Sequence, residues 1–162
     1  MDYQDPESHS IPGILVPQQV YSPPPGQQPA QLLPPLRFFV GQELGVNLQT
    51  ARDFPLGNIL RDPNAECVLS NRNNRATLRI IWPGYDRWNH ENSLDARPGR
   101  TLEQVARQVA ARIWEFHQAM STVPGGNPDW DLRNVPFRDL YLVELRNVSQ
   151  GSWQPVLCRR VD

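Results

Sequence analysis

The chain has 162 residues and a mass of 18.5 kDa, enough for one domain and not comfortably for two. A formal net charge of −1 leaves no basic footprint for nucleic acid and no acidic tail, and no apolar run is long enough for a membrane span. All 16 basic residues are arginine, which excludes Schiff-base catalysis and any phosphate site built on lysine.

The first 35 residues differ from the rest. They hold nine of the 17 prolines, together with Asp2, Asp5 and Glu7 and no arginine, so the remainder nets +2. The run Ser22-Pro23-Pro24-Pro25-Gly26 favours polyproline II, and the Pro/Gln/Ser content predicts a disordered, extended arm over residues 1–35. Within it, Ile11, Ile14, Leu15, Val16 and Val20 form an apolar island able to clip onto the domain or a partner. Ser22-Pro23 has the form of a proline-directed phosphorylation site, whereas no two of the arm's prolines have PxxP spacing. The acidic start carries no apolar leader core, and Cys67 and Cys158 make a poor disulfide scaffold. An intracellular protein, cytoplasmic or nuclear, with reduced thiols is the expectation.

Residues 36–162 are expected to form one domain. Leu36-Arg37-Phe38-Phe39-Val40 has strand composition and ends at Gly41, while the stretch from Gly45 to Pro63 shows neither helical nor strand period. Glu66–Ser70 and Ala76–Trp82 are strand candidates that the polar turn Asn71–Asn74 would join into a hairpin, and Pro83-Gly84 stops the second. The clearest element is a helix. Thr101 and Gln104 make a capping box, and Leu102, Val105, Ala106, Val109, Ala110, Ile113, Phe116, His117 and Met120 recur on one stripe. Leu140–Leu145 reads as a central strand, apolar on both faces at first. After the turn Ser149–Ser152, Trp153–Arg160 returns, and Pro155 places that strand at an edge or its pairing at a bulge. Together these predict an α+β domain, with a mostly antiparallel sheet of about 4–5 strands packed against one long amphipathic helix.

Two segments carry a resemblance. Arg79-Ile80-Ile81-Trp82-Pro83-Gly84-Tyr85-Asp86-Arg87-Trp88, followed by the helix, and Val148-Ser149-Gln150-Gly151-Ser152-Trp153-Gln154-Pro155 appear in this order. The pattern resembles that of an uncharacterised protein family of mushroom-forming fungi, from about Phe38 to Arg160. The resemblance implies one domain and a fungal intracellular setting. It hands over no catalytic residues.

The chemistry-bearing residues are sparse. His90 and Glu91 fall in an expected loop with Asp86 and Asp95 close in sequence, so a general acid/base pair on His90 defines a small hydrolase as the alternative function. Polar loop residues need no such role. His117 sits at the edge of the helical stripe, as a half-buried, hydrogen-bonded histidine would. Three histidines and two cysteines without metal-ligand spacing predict no metal site, and no phosphate loop or other cofactor motif is present. Tyr85, Arg87 and Trp88 combine the residue types of interface hot spots in one loop. The favoured function is therefore a non-catalytic intracellular protein-interaction module with Pro83–Trp88 as its contact surface. A protein partner is expected, without nucleic acid or membrane. The absence of lysine has two explanations: GC-rich codon usage, which eleven asparagines weaken, or a chain that offers ubiquitin no acceptor except its N-terminal amine.

Overall fold

The computed structural model describes residues 10–26, 31–85 and 90–161. Its centre is a long hairpin, β8 (Leu140–Ser149) with β9 (Ser152–Arg159). β8 is buried on both faces: Leu142 and Leu145 join the larger core, and Val143 joins a smaller one with Leu44, Val156 and Cys158. A register shift between Leu142 and Glu144 gives β8 one extra residue, next to the pairing of Leu145 with Pro155.

Along its outer edge β8 receives two short strands, β2 (Leu36–Arg37) and β5 (Val46–Asn47), both antiparallel. On the other side β9 is shared. Its start pairs in parallel with β6 (Arg75–Ile80) at Ser152 and Trp153, and its end pairs antiparallel with β1 (Ile14–Leu15). β7 (His90–Asp95) closes the far edge against β6. A separate small hairpin, β3 (Phe39–Val40) and β4 (Glu43–Leu44), contributes Leu44 to the smaller core and packs Phe39, partly buried, against it.

The class is mixed α/β, with one long helix on a sheet of several strands. The sheet differs from the expected one. Seven strands, counted among the described residues, form a mixed sheet with a parallel β6/β9 pair, instead of about 4–5 mostly antiparallel ones. Three of the seven are two-residue strands, each too short for an alternating pattern to show.

The hairpin expected from Glu66–Ser70 and Ala76–Trp82 is also replaced. Glu66 makes only an isolated bridge to Thr101, and β6 instead pairs over six positions with β7, from Arg75↔Asp95 to Ile80↔His90. β7 is His-Glu-Asn-Ser-Leu-Asp, in which Leu94 is the single aliphatic residue. An edge strand of that composition is held by backbone pairing and carries almost no hydrophobic signal.

The long helix, α2 (Leu102–Met120), follows its sequence closely. Thr101 Oγ1 accepts from Gln104 N–H at 3.2 Å, and Gln104 Oε1 accepts from Thr101 N–H at 3.0 Å. Leu102, Val105, Ala106, Val109, Ala110, Ile113, Phe116 and His117 are buried along it, all but His117 as members of the larger core. A second helix, α1 (Leu48–Asp53), lies inside the stretch without visible period. Six residues give two buried positions, Leu48 and Ala51, and Asn47 caps the start by accepting from Thr50 N–H. No helix among the described residues is long and apolar enough to cross a membrane.

Candidate functional site: a cradle for the N-terminal segment

From Ser10 to Tyr21 the N-terminal segment lies against the sheet, and residues 22–26 are exposed. Ile14 and Leu15 form β1 on Arg159 and Cys158, Val16 N–H donates to Leu157 O at 2.8 Å, and Val16 is buried. The approach is close at Gly13: a Cβ there would lie 2.0 Å from Arg159 O, so only glycine fits. Beyond Trp153 the β6/β9 ladder ends, and Pro155 has no N–H with which to extend it. Gln18 takes over at this break. Its side-chain amide donates to Pro155 O at 2.7 Å and accepts from Ile81 N–H at 3.1 Å, bridging the two parting strands much as a peptide group would. Gln154 does the reverse service, donating to Gln19 O at 2.7 Å and accepting from Tyr21 N–H at 2.8 Å. Finally, the Arg79 guanidinium covers the Tyr21 ring at 4.2 Å.

These contacts involve residues 10–21 of the arm expected over residues 1–35. Residues 1–9 and 27–30 lie outside the described residues. Between them, residues 10–21 form a strap along β9 that turns tightly at Pro17, where Gln18 N–H donates to Val16 O at 2.8 Å, and a cleft lined by Val16, Gln18, Val20, Arg146, Pro155 and Val156 runs beside it. The apolar island from Ile11 to Val20 is the sequence signal for this docking. Gln18 and Gln154 were missed, because glutamine in a Pro/Gln-rich segment or a turn has no hydrophobic signature, and their role depends on a gap in the sheet.

The loop expected to be a contact surface is anchored from within. Tyr85 is 1% exposed, which removes it from any surface patch. Its hydroxyl donates to Val123 O at 2.7 Å and accepts from Leu132 N–H at 3.0 Å, and its ring packs edge-on against Phe116. Gly84, at φ +87°, places its backbone so close to Gly126 and Asn127 that no side chain fits. Arg87 and Trp88, like Asp86, lie outside the described residues. Tyr85 packs inward, against the contact-surface expectation, because backbone groups beside the end of α2 are there to receive its hydroxyl.

Asp131 completes this anchor. It is buried, accepting from Arg133 Nε at 3.0 Å and from an Arg133 terminal nitrogen at 2.7 Å, with its Oδ1 3.4 Å from the Tyr85 hydroxyl. The bonded Arg133 guanidinium, helped by Arg133 N–H, holds this carboxyl well below the usual carboxylate range. Burial, followed by the Asp131 charge and hydrogen bond, pushes the Tyr85 hydroxyl up, against the lowering bond from Leu132 N–H. Because the folded pKa of Asp131 is depressed, its contribution to stability is complete above the unfolded value of about 3.9 and is lost as pH falls through the folded one. Asp131→Asn should therefore lower the urea midpoint near neutrality. At about pH 3 and below, the gap to the parent chain should narrow steadily. A constant gap at every pH would mean that the charge of Asp131 contributes nothing.

The candidates for acid/base chemistry are not brought together with Asp95. His90 and Glu91 begin β7, opposite Ile80 and Arg79, in a strand and not in the expected loop. Asp95 ends the same strand, about 17 Å along it at the usual rise. It is bound there by Arg97 at 2.7 Å and Arg100 at 3.3 Å, and the Arg97 hydrogen bonds pull its carboxyl down to about 2. His117 is buried, with Nε2 2.6 Å from Val135 O. Cys67 and Cys158 are free and buried, and burial pushes their thiols up to about 11 and about 12, the behaviour of small core hydrophobes. Among the described residues no group of three or more His, Cys, Asp or Glu side chains could hold a metal. Compared with family models, curated proteins and solved structures, the chain has no significant match.

Proposed function

We propose that this protein is a non-catalytic protein-interaction module that receives an extended polypeptide along β9, in the seat its own residues 10–21 occupy. One observation supports this: the seat holds the strap through Pro155 O and Ile81 N–H on the Gln18 amide, through the Gln154 amide on Gln19 O and Tyr21 N–H, and by one strand pairing. That is the chemistry of β-strand addition, in which main-chain bonds bind and inward side chains select. Val16, Gln18 and Val20 line the cleft, alternating with exposed Pro17 and Gln19. The proposed setting is intracellular, in line with the two free thiols and with the resemblance to a fungal family.

The test uses the full chain carrying Gly13→Val, which cannot seat its own strap against Arg159 O. A fluorescent peptide of residues 10–24 should then bind saturably, and a scrambled peptide should not. Adding Gln154→Ala, which removes two hydrogen bonds, should weaken binding about tenfold. Gly57→Ala, at a position with open space around it, serves as the control and should leave the strap seated. A folded Gly13→Val chain that ignores the peptide would sink the proposal.

A further inference from the structure

Ser22 follows the last clamped residue of the strap. Tyr21 is held through its N–H by Gln154 and through its ring by Arg79, while Ser22 and the following Pro23, Pro24, Pro25 and Gly26 are all exposed. The strap has no regular structure at Ser22, and the Ser-Pro dipeptide is presented in an accessible, non-helical stretch. Two cations stand by this end of the strap. Arg79 lies over the Tyr21 ring and bonds Ser152 Oγ at 3.4 Å, and Arg146 lines the cleft beside Val20.

We infer that Ser22 is a phosphorylation site for a proline-directed kinase, and that its phosphate locks the strap in the cradle. In the transfer, the γ-phosphoryl group of ATP moves to Ser22 Oγ. The bond from phosphorus to the ADP oxygen breaks, the Oγ–P bond forms, and the hydroxyl proton passes to the kinase's catalytic carboxylate. The product carries about two negative charges and three strong acceptor oxygens, one residue from the ring that Arg79 covers. Arg79 and Arg146 are arginines, whose planar forks suit phosphate oxygens. The inference rests on the cradle as an exchangeable seat, so the phosphate would keep the strap in place and exclude a competing segment.

The experiment treats the full chain with a proline-directed serine/threonine kinase and ATP, maps the site by mass spectrometry, and follows amide exchange at Val16 and Tyr21. Ser22 should be modified, and Pro23→Ala should abolish the modification. Phosphorylation should slow exchange of both amides about tenfold at low salt, the scale of one or two exposed ion pairs. The slowing should shrink below about twofold at about 1 M salt, where the Debye length is about 3 Å, and it should shrink likewise in Arg79→Gln. Kinase action elsewhere that spares Ser22 overturns the inference, as does phosphorylated Ser22 with unchanged or faster exchange. The unmodified chain separates this failure from that of the cradle. If Val16 exchanges there as fast as in a free peptide, the cradle reading fails; if it is protected and phosphate changes nothing, only the Ser22 inference fails.

Discussion

Trp82→Ala should destabilise the fold by about 3–5 kcal/mol, the range for deleting a buried tryptophan. The indole is 1% exposed, with Phe116 of α2 6.5 Å from it on one side and Trp130 edge-on at 6.0 Å on another. Its Nε1–H donates to Trp130 O at 2.6 Å, so truncation also strands a carbonyl. Trp82 therefore ties the end of β6 to the helix and to the segment around Trp130. For a chain of this length the loss corresponds to a fall in melting temperature of about 6–20 °C. Trp82→Phe, which keeps most of the apolar volume and loses the hydrogen bond, should fall between the two. An unchanged melting temperature for Trp82→Ala would show that the indole does not pack between β6 and α2.

Tyr85 should behave in the same way, contrary to what a surface hot spot would do. Tyr85→Ala removes a ring that is buried against Phe116 and sits so close to Gly125 that a Cβ there would come within 2.7 Å of it. The expected loss is about 3–5 kcal/mol, by analogy with other buried aromatics. Tyr85→Phe is the sharper variant. It leaves the packing but deprives Val123 O of its donor and Leu132 N–H of its acceptor, which should cost about 1–3 kcal/mol. Urea denaturation measures both. A Tyr85→Phe chain as stable as the parent would mean that the hydroxyl network is not formed in solution. Adding Tyr85→Phe to the Gly13→Val chain should leave peptide binding unchanged, since Tyr85 is not among the residues lining the cleft beside the strap.

Local pattern was enough for the elements that bury a continuous face. The capping box and nine-position stripe of α2, the doubly apolar start of β8 and the turn before β9 are all written in neighbouring residues, so 3.6- and two-residue periodicity is sufficient to find them. The inward indole of Trp82 follows from the same alternation. The two-residue strands, the six-residue α1 and the polar β7 have too few apolar positions for any period to register, and they exist because a partner strand or helix supplies what they lack. The candidate site was legible only as an apolar island from Ile11 to Val20.

By itself, the sequence determined one α2 helix with its buried stripe, one β8/β9 hairpin, a chain free of lysine, and a Pro-rich start with a short apolar cluster. Tertiary structure alone decided which strands are neighbours, that Tyr85 points inward, that His90 and Asp95 stand at opposite ends of one strand, and that the strap fills a gap in the sheet. The physical reason is range. Periodicity and capping act over a few residues, whereas Gln18 meets Pro155 across 137 positions and Gln154 meets Gln19 across 135, and the need that these amides satisfy arises only once β6 and β9 have parted.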